Sequence, residues 1–242
     1  MLREYAVEPK VFSDVDFRTF MQVLDGFSFS NGRLISTFPK KWAREVHSIL
    51  NKLDLQPVKK QSISIRLNKI AYVKRSCQLW DSQKTWSENA QLSNQHDPFH
   101  AIISETGKIT IEDLHNENEY WRDCRQVEIP KTLEGFESVC KTVMKFAKKI
   151  KFIDPYFAPY EPRCIKPLVK FVELSKHGSL VSNFEFHLKV NPITAEYFEE
   201  KLKSLSDLLC LDCGQKFHFY RWNLLEGKDK DNFHPRFILT DK

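Results

Sequence analysis

The sequence holds no stretch approaching the roughly 18 uncharged apolar residues that cross a bilayer, and no transmembrane segment is expected. Residues 1 to 25 carry acids throughout and lack the apolar run of a secretory signal, so a cytoplasmic location is expected. Neither an internal repeat nor a low-complexity tract occurs, which excludes solenoid and fibrous architectures. No G-x-x-x-x-G-K-[ST] stretch or other nucleotide fingerprint is found, and no cofactor is expected. Cysteine is sparse: Cys77, Cys124, Cys140, Cys164, Cys210 and Cys213 are scattered over a chain large enough to bury a core without staples, and they read as reduced thiols.

What is present is an ordinary globular composition, with 41% hydrophobic and 29% charged residues. The net charge of +5 permits a polyanionic partner without demanding one. In the first half, Pro39 suits a first helical turn, and Trp42, Val46, Ile49, Leu50 and Leu53 recur at helical spacing, opposite Lys40, Lys41, Arg44 and Lys52. SISIRLNKIAYV alternates like a strand, and HAIISETGKITIEDL reads as a strand pair around Thr106 and Gly107. The polar segment from Asp81 to Asp97 reads as a loop anchored by Trp80 and Trp86.

From Glu128 onward the pattern becomes regular. TLEGFESVCKTVMKFAKKI places Phe136, Val139, Cys140, Val143, Met144, Ala147 and Ile150 on one helical face, with Thr132 as its cap. KFIDPYF reads as a strand stopped at Asp154 and Pro155; a helix at IKPLVKFVELSK, a strand at NFEFHLKV, a helix at TAEYFEEKLKSLSDLL and strands at KFHFYRWN and PRFILTD follow. The expected fold is α/β, α+β over the whole chain: residues 1 to 127 form a smaller α+β region of unassigned role, and residues 128 to 242 a mixed sheet flanked by helices, three-layer in style.

The chemistry concentrates in DNFHPRFILTDK, where His234, Arg236 and Asp241 fall at H-x-R-x-x-x-x-D. A histidine can attack phosphorus without a metal, forming a phosphohistidine, while positive charge holds the non-bridging oxygens. On a strand His234 and Arg236 share a face, whereas Asp241 lies an odd number of residues on and needs a bulge or the strand's end to return.

FHPRFILTD resembles the H-x-K-x-x-x-x-D signature of the phospholipase D superfamily, in the H-x-R-[FY]-x-L-T-D form of its divergent branches. KFIDPYFAP is similar to the D-P-Y-F first-strand element of those branches. The resemblance covers residues 128 to 242. It implies His234 as nucleophile, Arg236 in the place of the phosphate-binding lysine and Asp241 as supporting acid, with Asp154 and Tyr156 at the carboxyl end of the first strand, beside the same crevice.

The family's catalysis uses two such motifs and a lysine where Arg236 stands, and Lys242 directly follows the motif acid here. FHLKVNPIT offers His187 and Lys189 at H-x-K but has Thr194 where the acid belongs, so His187 reads as an ordinary strand residue. The leading expectation is therefore a non-catalytic or weakly active module that binds nucleic acid, DNA or RNA, or phosphate groups within a larger prokaryotic defence or mobile-element assembly. The alternative is a metal-independent nuclease, a homodimer pairing two copies of His234.

Lys141, Lys145, Lys148 and Lys149 fall at helical spacing with Lys151 beyond, and they read as a backbone-tracking patch in that context. Cys210 and Cys213 in C-L-D-C-G have no second pair at zinc-finger spacing; Gly214 reads as a helix end, and no metal site is expected. His96, His100 and His115 show no ligand spacing.

Overall fold

The computed structural model describes residues 2–75, 80–114, 118–122, 128–130, 132–158, 160–176, 183–190, 194–209, 215–222 and 236–241. The chain is of the mixed α/β class and divides into two compact units, Met1–Glu128 and Ile129–Lys242.

In the first unit β1 (Arg3–Val7), β2 (Arg33–Ser36), β3 (Tyr72–Val73) and β4 (Ala101–Ile103) form an all-parallel sheet in the order β3-β2-β1-β4. Between them run α1 (Phe17–Gly26), α2 (Trp42–Lys52), α3 (Pro57–Leu67) and α4 (Trp86–His96). Tyr5 and Val7 of β1 pack with Phe20, Trp42, Val46, Ile63 and Leu67 of α1 to α3, while Ala6 of the same strand packs with Ala90 of α4. A parallel sheet covered on both faces buries nearly every strand residue, as β1 and β2 do. The region expected to be a smaller α+β appendage is thus the longer unit, and it is the three-layer one.

Three local expectations are corrected here. Of the expected strand SISIRLNKIAYV only Tyr72–Val73 is one, β3; SISIRL lies in α3, where Ile63 and Leu67, four apart, are buried and Ile65 is 49% exposed, so a two-residue alternation concealed a helical face. The strand pair at Gly107 reduces to β4, one bridge between Ile103 and Ile109 and a short 3-10 turn at Ile111–Asp113. Asp81 to Asp97 contains α4, opened by a capping box between Thr85 and Glu88. Its buried face uses Asn89, whose side-chain amide donates to the carbonyls of Asp81, Lys84 and Thr85 and whose carbonyl accepts from Asp81 N. Trp86 donates to Phe38 O at 3.2 Å, and both tryptophans meet the Phe38 ring edge-on, as expected of anchors.

The second unit follows the expected element order: α5 (Leu133–Phe146), β5 (Lys149–Ile153), α6 (Pro162–Lys176), β6 (Asn183–Lys189), α7 (Ala195–Leu208), β7 (Lys216–Trp222) and β8 (Phe237–Thr240). Thr132 caps α5 and Thr194 caps α7, each hydroxyl accepting a first-turn N–H. The sheet order is β7-β6-β5-β8, with β5, β6 and β7 parallel and β8 antiparallel to β5.

Strict alternation sorts the side chains of this sheet. Ile150, Phe152, Phe184, Phe186, Leu188, Phe217, Phe219 and Ile238 form one core with α5, α6 and α7. Phe186 stacks on Phe152 at 4.9 Å and on Phe219 at 4.7 Å. Each such buried ring contributes about 1.5–3 kcal/mol of transfer free energy. Among the described residues all three helices join this one face, so the three-layer arrangement expected here is two layers. The opposite face carries Lys149, Lys151, Lys216, His218, Tyr220, Trp222, Phe237 and Leu239, all exposed.

Candidate phosphate-binding site

β5 ends at Ile153, and Asp154 N donates to His187 O at 3.0 Å, which extends the parallel ladder by one step. The chain then turns: Pro155 has no N–H to donate, though its carbonyl still accepts from Lys189 N at 3.4 Å, and Asp154 Oδ1 accepts from Tyr156 N at 2.9 Å. Because β8 runs antiparallel and pairs Phe237 with Ile153, Arg236 arrives beside Asp154 across 82 residues of sequence. Arg236 Nε donates to Asp154 Oδ1 at 3.1 Å, and its guanidinium carbon stands 5.6 Å from the centre of the Tyr156 ring. The arginine side chain is 66% exposed and the carboxylate 28%. Asp154, Tyr156 and Arg236 are therefore brought together.

These three border a cavity of about 420 Å³ at the carboxyl end of the sheet. Its polar lining adds Arg163, Cys164 and His187, and its floor is apolar, with Phe136, Phe152, Phe171 and Phe186. Thr132 and Leu133 at the start of α5 and Arg163 at the start of α6 also line it, so the positive ends of two helix dipoles border the same space. With two arginines and one carboxylate, the lining carries a net single positive charge when His187 is neutral. That suits one anionic group. Arg163 is itself paired with Glu161, which does not line the cavity.

Asp241 is placed elsewhere. Its Oδ1 accepts from Lys148 N at 2.7 Å and Lys149 N at 3.2 Å, at the start of β5. It stands five positions along the strand from Arg236, about 16 Å at the rise of a β-strand. No bulge returns it, and the carboxylate at the crevice is Asp154. His234 lies outside the described residues, as do His115, Cys77, Cys124, Cys210, Cys213 and Gly214.

The expected lysine stripe does not run as one surface. Lys141 is exposed on α5, but Lys145 is only 7% exposed, with its ammonium 5.1 Å from the Phe146 ring centre. The helix ends at Phe146, so Lys148 and Lys149 belong to the entry of β5, at the end of the strand away from the cavity. None of Lys141, Lys145 and Lys148 lines the cavity.

His187 is held by partners. Its Nδ1 accepts from Trp222 Nε1 at 3.1 Å, its Nε2 stands 3.5 Å from Glu185 Oε2, and its ring stacks on Tyr220 at 4.8 Å. Indole only donates, so Nδ1 is the unprotonated nitrogen in this arrangement. Lys151 Nζ, 2.8 Å from Glu185, holds that carboxyl below the usual carboxylate range.

Arg163 was missed in the sequence, though the Pro162 just before it marks the first turn of a helix. Among the described residues no group of three or more His, Cys, Asp or Glu could hold a metal ion, and no helix is long and apolar enough to cross a membrane. Set against known proteins, the chain matches no family model, no curated protein and no solved structure.

Proposed function

We propose that residues 129–242 act as a phospholipase D-like module that captures nucleic acid by its phosphates at the Arg236 crevice and releases it uncut. The observation that carries this reading is the Arg236–Asp154 pair at the mouth of the cavity. Asp154 occupies Nε and orients the guanidinium; among the described residues the terminal nitrogens of Arg236 have no partner, leaving the fork that suits a phosphate. A phosphodiester is a monoanion and matches the net charge of the lining. Cleavage raises the charge on the phosphoryl oxygens in the transition state, and a carboxylate 3.1 Å from the chief cation opposes that rise. Capture is favoured over turnover.

The crevice would then serve as one contact in a larger assembly on nucleic acid, a setting that rests on the resemblance of FHPRFILTD and KFIDPYFAP alone. The test is incubation of labelled single- and double-stranded DNA and RNA with wild type and His234→Ala in EDTA. The expected result is binding that weakens with salt and no cleavage by either protein. EDTA-resistant cleavage lost in His234→Ala would overturn this reading in favour of a dimeric nuclease that uses a phosphohistidine.

A further inference from the structure

The open face of the second sheet has the composition of a base-stacking platform. Register aligns Tyr220, His187, Ile153 and Phe237 in one row across all four strands; Trp222 pairs with Lys189 in the next row, and His218, Glu185, Lys151 and Leu239 form the row on the other side. Tyr220 is 42% exposed, Trp222 49% and Phe237 49%, values unusual for rings this large on a sheet whose other face is packed against helices.

We propose that this face binds single-stranded nucleic acid, with bases stacking on Tyr220 and Trp222 and the phosphates tracked by Lys149, Lys189 and Lys216. The proposal rests on the nucleic-acid reading above and adds where the strand lies and in which form. Charge selects the occupant: among the described residues Lys149, Lys151, Lys189 and Lys216 stand on the face, against Glu185, which Lys151 already neutralises, and Asp241, whose carboxylate accepts from the backbone at the far edge. A second copy of the chain would set these lysines against each other, and protein interfaces are depleted in lysine.

The rings are also pre-set. The Trp222 indole is tied to His187 by its N–H, and the ring planes of Tyr220 and Trp222 lie within 12° and 18° of the imidazole. Little side-chain freedom is lost on stacking. Tyr220 and Trp222 stand two residues apart, about 6.6 Å along the strand, so successive bases of an extended strand can reach both. A duplex keeps its base faces stacked internally and cannot use such rings, whereas a four-stranded sheet with exposed aromatics takes single strands.

The experiment measures anisotropy of a fluorescein-labelled oligothymidine and of a duplex of the same length with the full chain. Wild type, Tyr220→Ala/Trp222→Ala, Trp222→Phe and Arg236→Ala are compared, with circular dichroism as a check on folding. The double variant should bind the single strand roughly 5- to 150-fold more weakly, the loss expected for at least one base stack. Trp222→Phe should stay within a few-fold of wild type, because a ring face remains.

Equal single-strand binding by wild type and the double variant would overturn the platform; if Arg236→Ala then loses binding, the crevice reading survives alone. Failure of wild type to bind any nucleic acid would sink both. A solution mass of two chains that falls to one in the double variant would assign the face to a second copy and overturn the proposal.

Discussion

Arg236 and Asp241, five positions apart in one motif, sit at opposite ends of β5: Arg236 donates to Asp154 where the strand ends, and Asp241 accepts from Lys148 N and Lys149 N where it begins. The antiparallel pairing of β8 with β5 produces this split, since a straight strand of four residues lies between them. One motif thus contributes a cation to the crevice and a structural clamp to the far edge.

The clamp role has a direct consequence. Asp241→Ala releases two backbone N–H groups to water and should cost about 1 kcal/mol of stability, read from urea unfolding, with phosphate binding unchanged. Loss of binding at unchanged stability would place Asp241 in the chemistry instead.

The two faces of the second sheet should respond oppositely to truncation. Phe186 is 2% exposed among stacked rings, so Phe186→Ala should cost about 3–5 kcal/mol. Phe237, on the open face, should cost about 0.5 kcal/mol or less when changed to alanine, as surface positions do. Comparable losses measured by denaturant titration would mean the open face is packed in solution.

In the first unit, Arg75 and Glu4 make a two-pronged pair at 2.7 and 3.0 Å with side chains 1% and 6% exposed, and Ser93 and the Phe99 ring close over the guanidinium. Arg75→Met strands the Glu4 carboxylate away from water and should cost about 3–5 kcal/mol, whereas after Glu4→Gln the guanidinium keeps Asp97 Oδ2 at 3.6 Å and the loss should be smaller. The double change Glu4→Leu/Arg75→Met should cost less than the two single losses added. Additive losses in urea unfolding would show that the two charges do not depend on each other.

His100 gives the first unit a pH signature. Burial, aided by the charge of Arg3, pushes its imidazole from the ordinary 6.5 down to about 4. Between those values the unfolded chain binds the proton and the folded chain does not, so this contribution is fully present above pH 6.5 and is lost as pH falls toward 4. His100→Phe keeps a ring against Tyr5 and should flatten the fall of Tm across that window. An unchanged slope would assign the fall to other groups.

Much of the second unit was legible because its strands alternate and its helices carry capped apolar faces: every element from Thr132 to Thr240 was anticipated. The one-sided placement of the helices was not legible: in KFHFYRW aromatics occupy both parities, a pattern that reads as a strand covered on both faces, whereas Tyr220 and Trp222 are exposed. The first unit resisted for physical reasons. Its parallel strands are short and buried on both faces, so they show no alternation. Helix α4 buries Asn89 and Ser93 beside a single small apolar residue, Ala90, and a hydrophobic pattern cannot reveal it. The Arg236–Asp154 contact needed the register of β8 on β5, which no local pattern encodes.

The most direct test of the crevice is the side-chain Nε–H signal of Arg236 in a nitrogen–proton correlation spectrum, assigned with Arg236→Lys and followed as a short oligothymidine is added to saturation. The account predicts that this signal shifts saturably while those of Arg33 and Arg75, buried in the other unit, stay fixed. An Arg236 signal unmoved at full binding would show that phosphate is held elsewhere and would contradict the account.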